Sequence, residues 1–170
     1  ERRAFDDLAA RWDARIVGLA YRFTGSKEAA EDVRQLTLLR AYQGLGQFDG
    51  AAALSTWVYR IVLNLCRDYM RSESGERKRR LRLAESSGSR SGREPDNELG
   101  AHVARAVRAL PDDERAVVVL RHYSGLTFAE ISGVLEAPLT TVKSRALRGL
   151  QRLRDELNRP MAAEGVGHEV

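Results

Sequence analysis

The chain has 170 residues, 43% hydrophobic and 31% charged but only 6% aromatic, which is core material for one domain or two small ones. Net charge is +4 and the pI about 9.6, a mild basic excess that permits nucleic acid as a partner without demanding it. A single cysteine, Cys66, excludes a disulfide framework and a thiolate zinc site, and no apolar run approaches the ~20 residues that cross a bilayer. No secretory signal pattern appears, and the expected setting is a reducing cytoplasm. Charge is unevenly placed: acidic residues gather at Glu28, Glu31 and Asp32, basic ones at Arg77–Arg82 and near the end. That distribution suits a protein with two kinds of partner.

Phe5, Leu8, Trp12, Ile16, Leu19 and Phe23 recur at three- and four-residue steps, which predicts an amphipathic helix ended by Gly25. Ser26 caps a second helix over about Lys27 to Tyr42, with Ala30, Val33, Thr37 and Ala41 on its buried stripe. Leu38, Leu39 and Tyr42 make its apolar arc wider than one core face needs. Gly44 and Gly46 break it, and Gln47–Ser55 reads as a loop with an Asp-Gly turn. Thr56 caps a third helix from Trp57 to about Arg71, with Val58, Ile61, Val62, Leu65 and Tyr69 inward. Arg60, Asn64, Arg67 and Arg71 lie on its opposite side.

Composition then shifts. Ser72 to Pro95 holds RKRRLR and a Ser/Gly/Arg-rich run that cannot bury enough apolar surface to order itself, and it reads as a linker. Asp96 or Asn97 caps a fourth helix through Leu110, with Leu99, Val103, Ala106 and Val107 inward. Pro111 begins a fifth, whose dipole Asp112, Asp113 and Glu114 complement.

Thr127 with Glu130 forms a capping box ahead of a short helix carrying Phe128, Ile131 and Leu135. Pro138 places a turn at Leu135–Pro138, and Thr140 or Thr141 caps a second helix that runs to Pro160. Val142, Ala146, Leu150, Leu153 and Leu157 are its expected buried stripe. Two helices across so short a turn are a helix-turn-helix. Lys143, Arg145, Arg148, Arg152 and Arg154 are basic, with no acidic residue from Pro138 to Arg154. Thr140, Thr141, Lys143 and Ser144 sit where a recognition helix meets base edges, and basic residues further along suit phosphates. No stretch alternates as a strand does. The expected fold is all-α: two small helical bundles joined by a flexible linker, the second containing the helix-turn-helix.

AEDVRQLTLLRAY, STWVYRIVLNLCRDYMR and LPDDERAVVVLRHYSGLTFAEIS…APLTTVKSRALRGLQRLR resemble, in order and spacing, the signatures of extracytoplasmic-function (group IV) sigma factors of the sigma-70 family. The resemblance implies a region 2 domain over 1–72, a linker over 73–95, a region 4 domain over 96–159 and a tail over 160–170. It implies core RNA polymerase and promoter DNA as partners, an anti-sigma factor as inhibitor, no cofactor and no catalysis. It assigns polymerase binding to Asp32, Gln35, Leu39 and Arg40 on the second helix. The −10 element falls to Phe48 and Asp49 in the loop and to Trp57, Arg60, Asn64 and Arg67 on the third helix. The −35 element falls to Thr140, Thr141, Lys143, Ser144, Arg145 and Arg148. Leu36 stands where the family usually has an acidic residue, Leu38 and Leu54 where aromatics are common, and Glu136 where Gly is frequent.

From Ser72 to Pro95 is 24 residues, about 80 Å fully stretched but about 25–30 Å on average for a flexible chain. Promoter elements two helical turns apart lie roughly 70 Å from each other, so the polymerase must fix the spacing. A stand-alone helix-turn-helix regulator that binds as a dimer is the competing reading. An enzyme is disfavoured: His102, His122 and His168 are dispersed and complete no catalytic or metal motif.

Overall fold

The computed structural model describes residues 2–84 and 98–159, and the side chains of 5–73 and 99–159 apart from position 8. Among these it is helical throughout, without a strand: α1 (Arg2–Thr24), α2 (Lys27–Gly44), α3 (Leu54–Ala84), α4 (Glu98–Ala109), α5 (Asp112–His122), α6 (Phe128–Leu135) and α7 (Leu139–Leu157), with a 3-10 turn at Leu45–Gln47.

α1 buries Trp12, Ile16, Leu19, Ala20 and Phe23. Gly25 ends it with φ +73, its N–H donating to the Tyr21 carbonyl at 2.7 Å, as a left-handed cap requires. The Ser26 hydroxyl then accepts from the Ala29 N–H at 3.1 Å. α2 buries a stripe of mostly small side chains (Ala29, Ala30, Val33, Thr37 and Ala41), which lets it lie close to α1 and α3. α3 starts at Leu54, so Thr56 is its third residue rather than its cap. It continues to Ala84, well into the stretch expected to be linker. That stretch lacks proline before Pro95 and sets Glu73 four residues before Arg77 and Glu76 before Arg80, a spacing that supports helix. Residues 85–97, with the expected Asp96 or Asn97 cap, and the tail 160–170 lie outside the described residues, as do the side chains of Leu8 and Arg77–Arg82.

In the second body α5 is central: Glu114 through Leu120 are all buried, because α7, α6 and α1 surround its continuous apolar run. α4 differs from expectation. Ala101, Ala106 and Leu110 are buried, whereas Leu99 is 70% and Val103 39% exposed. The stripe of α7 is corrected too: Val142, Ala146 and Gly149 are buried while Leu150 and Leu157 are exposed. A Cβ at Gly149 would sit 2.8 Å from Val118, so the glycine lets α7 approach α5 closely, and the helix turns by one position to use it.

The two bodies pack against each other. Helices α1 and α3 meet α4, α5 and α6, and Phe23, Tyr59, Leu63, Val117, Leu120 and Ile131 belong to one hydrophobic cluster. Leu63 lies three residues after Arg60 and four before Arg67, on the α3 face read as open to DNA. It is 1% exposed. Local periodicity finds the face of α3 against α2 and misses this second one, whose partners lie far along the chain.

Candidate nucleic-acid interface

The helix-turn-helix is built by local hydrogen bonds. The Thr127 hydroxyl accepts from the Glu130 N–H at 3.2 Å, and the Glu130 carboxylate accepts from the Thr127 N–H at 2.7 Å, completing the expected capping box. Those bonds stabilise the charged carboxylate and hold the Glu130 pKa below its usual value. The turn closes through Glu136, at φ 52 and ψ 41, a left-handed conformation explaining why glycine would suit the position. The Ser132 hydroxyl donates to the Ala137 carbonyl at 2.6 Å. Neither Thr140 nor Thr141 caps α7: the N-cap is Pro138, without a side-chain hydrogen bond. Proline's fixed φ brings the chain in at Leu139 and carries both threonines into the first turn.

On α7, Thr140, Lys143, Ser144 and Arg148 are exposed and Thr141 and Arg145 half-buried. The Ser144 hydroxyl donates to the Thr141 carbonyl at 3.0 Å. Arg145 Nη2 lies 2.6 Å from Asp113 Oδ2. Arg148 and Arg152 reach the buried Glu114 carboxylate at 3.5 and 2.9 Å. Lys143 has no ion pair among the described residues.

On α3, Arg60 and Arg67 do not face open solvent. Arg60 donates through Nη2 and Nε to the Gly133 carbonyl on α6, at 2.6 and 3.2 Å. Its Nη1 lies 3.5 Å from Glu136. Arg67 Nε donates to Asp112 Oδ2 at 2.6 Å, and Nη2 to Asp113 Oδ1 at 3.3 Å. Asn64 between them is exposed. Trp57 and Phe48 are half-buried against each other, ring centroids 5.4 Å apart. Asp49 is exposed, and its Oδ1 accepts from the Ala51 N–H at 2.9 Å, the local bond expected of an Asp-Gly turn.

Asp32, Gln35, Leu39 and Arg40 are all exposed along α2, with Leu36 and Tyr42 beside them. A groove of about 680 Å³ lies between α1 and α4, lined by Tyr21, Arg22, Leu99, Val103, Val107 and Tyr123. Cys66 is fully buried. Burial, and then the nearby Asp112 charge, push its thiol up to about 12, so it is no nucleophile at neutral pH. Among the described residues no three His, Cys, Asp or Glu gather as metal ligands, and no helix is long and apolar enough to cross a membrane.

Residues 8–76 match the family model for sigma-70 region 2, and residues 102–153 the model for sigma-70 region 4. The RNA polymerase sigma-H factor of Pseudomonas aeruginosa is 31% identical over 96% of this chain and 91% of its own length. The ECF RNA polymerase sigma factor SigW of Bacillus subtilis is 32% identical over 91% of this chain and 89% of its own. CnrH, solved in complex with the cytosolic domain of CnrY, superimposes with a TM-score of 0.70 at 29% identity, covering 92% of this chain and 89% of CnrH. The sigma factor RpoE of Bartonella quintana, solved with the anti-sigma factor NepR, has the same fold, with a TM-score of 0.69 at 22% identity over 91% of this chain and 96% of that one.

Proposed function

The chain belongs to the extracytoplasmic-function sigma factors of RNA polymerase, and on that premise we propose that it is a group IV sigma subunit acting in the cytoplasm. It directs core polymerase to promoters and contributes no catalysis of its own. The first body, 1–72, docks on polymerase through Asp32, Gln35, Leu39 and Arg40 of α2, and opens the −10 element. The second, 96–159, reads the −35 element.

The observation that carries this reading is the start of α7. Thr140, Lys143 and Ser144 stand exposed in its opening turns, presented by a turn that the capping box and Glu136 fix. Polar side chains there reach base edges in a major groove, and Arg145 and Arg148 follow where phosphates run. Phe48 and Asp49 in the −10 loop and Trp57 on α3 offer an aromatic surface with a carboxylate for an unstacked base. Stacking on such a surface returns about 1–3 kcal/mol per base, comparable with the cost of unstacking. Arg60, Asn64 and Arg67 follow the adjacent backbone.

An anti-sigma factor is the expected inhibitor. The exposed Leu36, Leu39 and Tyr42 of α2 and the groove floored by Leu99 and Val103 offer apolar surface beyond what the fold itself covers. Run-off transcription with core polymerase on genomic fragments tests the assignment. Initiation from defined promoters only when this chain is added is the expected result. Promoter binding by a dimer of the chain alone, without redirected initiation, would refute it.

A further inference from the structure

Glu114, in the first turn of α5, is only 6% exposed, in surroundings where a carboxylate is costly to hide. Two arginines of α7 face it. Arg148 Nε lies 3.5 Å from Oε1 and Arg152 Nε 2.9 Å from Oε2, while the two arginine side chains stay 57% and 59% exposed. Four residues apart, they stand one above the other on the flank of α7 beside its buried stripe. Gly149 seats the helix there: a Cβ at that position would lie 2.8 Å from Val118 and 3.4 Å from Glu114 Cβ.

Stability alone does not call for this carboxylate, since well-packed apolar side chains of similar volume often serve in place of a buried ion pair. What sets it apart is the edge of each guanidinium that it takes. An arginine fork carries five N–H donors, and Glu114 approaches both forks at Nε, the inner edge. The terminal Nη groups of Arg148 and Arg152 make no hydrogen bond among the described residues. By contrast, Asp113 takes Arg145 at Nη2, the outer edge. Although Arg152 Nε is close, the buried Oε2 accepts no hydrogen bond, so charge rather than a directed bond holds that fork. A long side chain already held in this way loses less rotamer freedom when it meets a second anion.

We infer that Glu114 is a positioning residue for promoter binding: from beneath α7 its carboxylate holds Arg148 and Arg152 by their inner edges and leaves their terminal Nη groups for two phosphates of the DNA backbone. The inference rests on the proposed role of α7 as the recognition helix. It adds Arg152 to the residues that meet DNA, and it gives an acidic side chain a favourable part in binding a polyanion.

The test titrates the full chain with a labelled random-sequence duplex of about 30 base pairs over a range of salt, because phosphate contacts are blind to sequence. Four variants are compared with the native protein: Glu114→Asp, Glu114→Gln, Arg148→Gln/Arg152→Gln, and the triple change that combines Glu114→Gln with both arginine changes. The arginine variant should flatten the slope of log K against log salt by about 1.8, from two lost phosphate contacts. Glu114→Asp keeps the charge but withdraws it by one methylene. It and Glu114→Gln should each weaken binding about threefold or more and flatten the slope by about 1. The triple variant should bind no more weakly than the arginine variant, since Glu114 acts only through those two side chains. Glu114→Asp retains the buried ion pair and carries the test alone if the Glu114→Gln chain does not fold. Tighter binding by Glu114→Gln with native binding by Glu114→Asp would mean that the carboxylate merely offsets charge, and would overturn the inference. So would a further loss in the triple variant, the mark of a purely structural role. An unchanged slope in the arginine variant would instead overturn the phosphate contacts of α7 themselves, and the inference with them.

Discussion

Helices α2 and α3 belong to one body, yet their outward faces differ. On α2, Asp32, Gln35, Leu36, Leu39 and Arg40 are open to solvent. On α3, Arg60 and Arg67 are engaged by the second body, and Leu63 on the same face is buried. The face proposed for polymerase is thus available in the closed molecule, while the face proposed for DNA is occupied.

The largest expected effect tests the open face. Leu39→Asp places a charge in an exposed apolar patch and should leave stability within about 0.5 kcal/mol of native. It should lower run-off transcription about 100-fold, equivalent to about 2.7 kcal/mol of lost polymerase binding. Native transcription from this variant would remove α2 from the polymerase interface. Next, Leu63→Ala and Leu65→Ala compare the two flanks of α3, both buried. Each should cost about 2–4 kcal/mol in urea denaturation. Only Leu63→Ala should also expand the molecule in scattering, since Leu63 shares a face of α3 with Arg60 and Arg67, whereas Leu65, two positions on, lies on the other side of the helix. Equal expansion in both would erase the distinction between the flanks.

On the recognition helix, Lys143→Ala should cost about 1–3 kcal/mol of promoter affinity in the holoenzyme and relax preference at one base position. It should leave the closed form intact. Arg145→Ala should lose comparable affinity and also leave the packing of the two bodies intact, because its pair with Asp113 lies within the second body. The smallest effect is local: Thr127→Ala should cost about 1 kcal/mol by removing the cap of α6. Glu130 shares that cap, and its pKa is lowered on folding from a usual 4.5. The contribution should be fully present above about pH 4.5 and be lost as pH falls through the lowered value. A stability profile between pH 3 and 6 that Glu130→Ala does not flatten would separate the carboxylate from the cap.

Much of the fold was legible in order along the chain. Gly25 and Ser26, the box at Thr127 and Glu130, and the turn at Glu136–Pro138 are short-range devices, so the sequence reads them directly. The stripes of α4 and α7 were less legible. Leu99, Val103, Leu150 and Leu157 are apolar and correctly spaced, but spacing does not tell a core from an uncovered face. Among the candidate site residues, exposure at Lys143, Ser144, Leu39 and Arg40 followed from local pattern. The engagement of Arg60, Arg67 and Arg145 did not, since Arg67 and Asp112 are 45 positions apart.

The sequence by itself determined the order of the helices, the caps at Ser26 and Thr127 and the helix-turn-helix, because each depends on side chains within a few residues of one another. The tertiary structure alone decided that Leu63 is core, that Asp113 holds an arginine from each body, and that one face of the first body is covered while another is free. Those outcomes depend on which surfaces meet across the chain, a choice made by shape and charge complementarity between distant segments that no local period records.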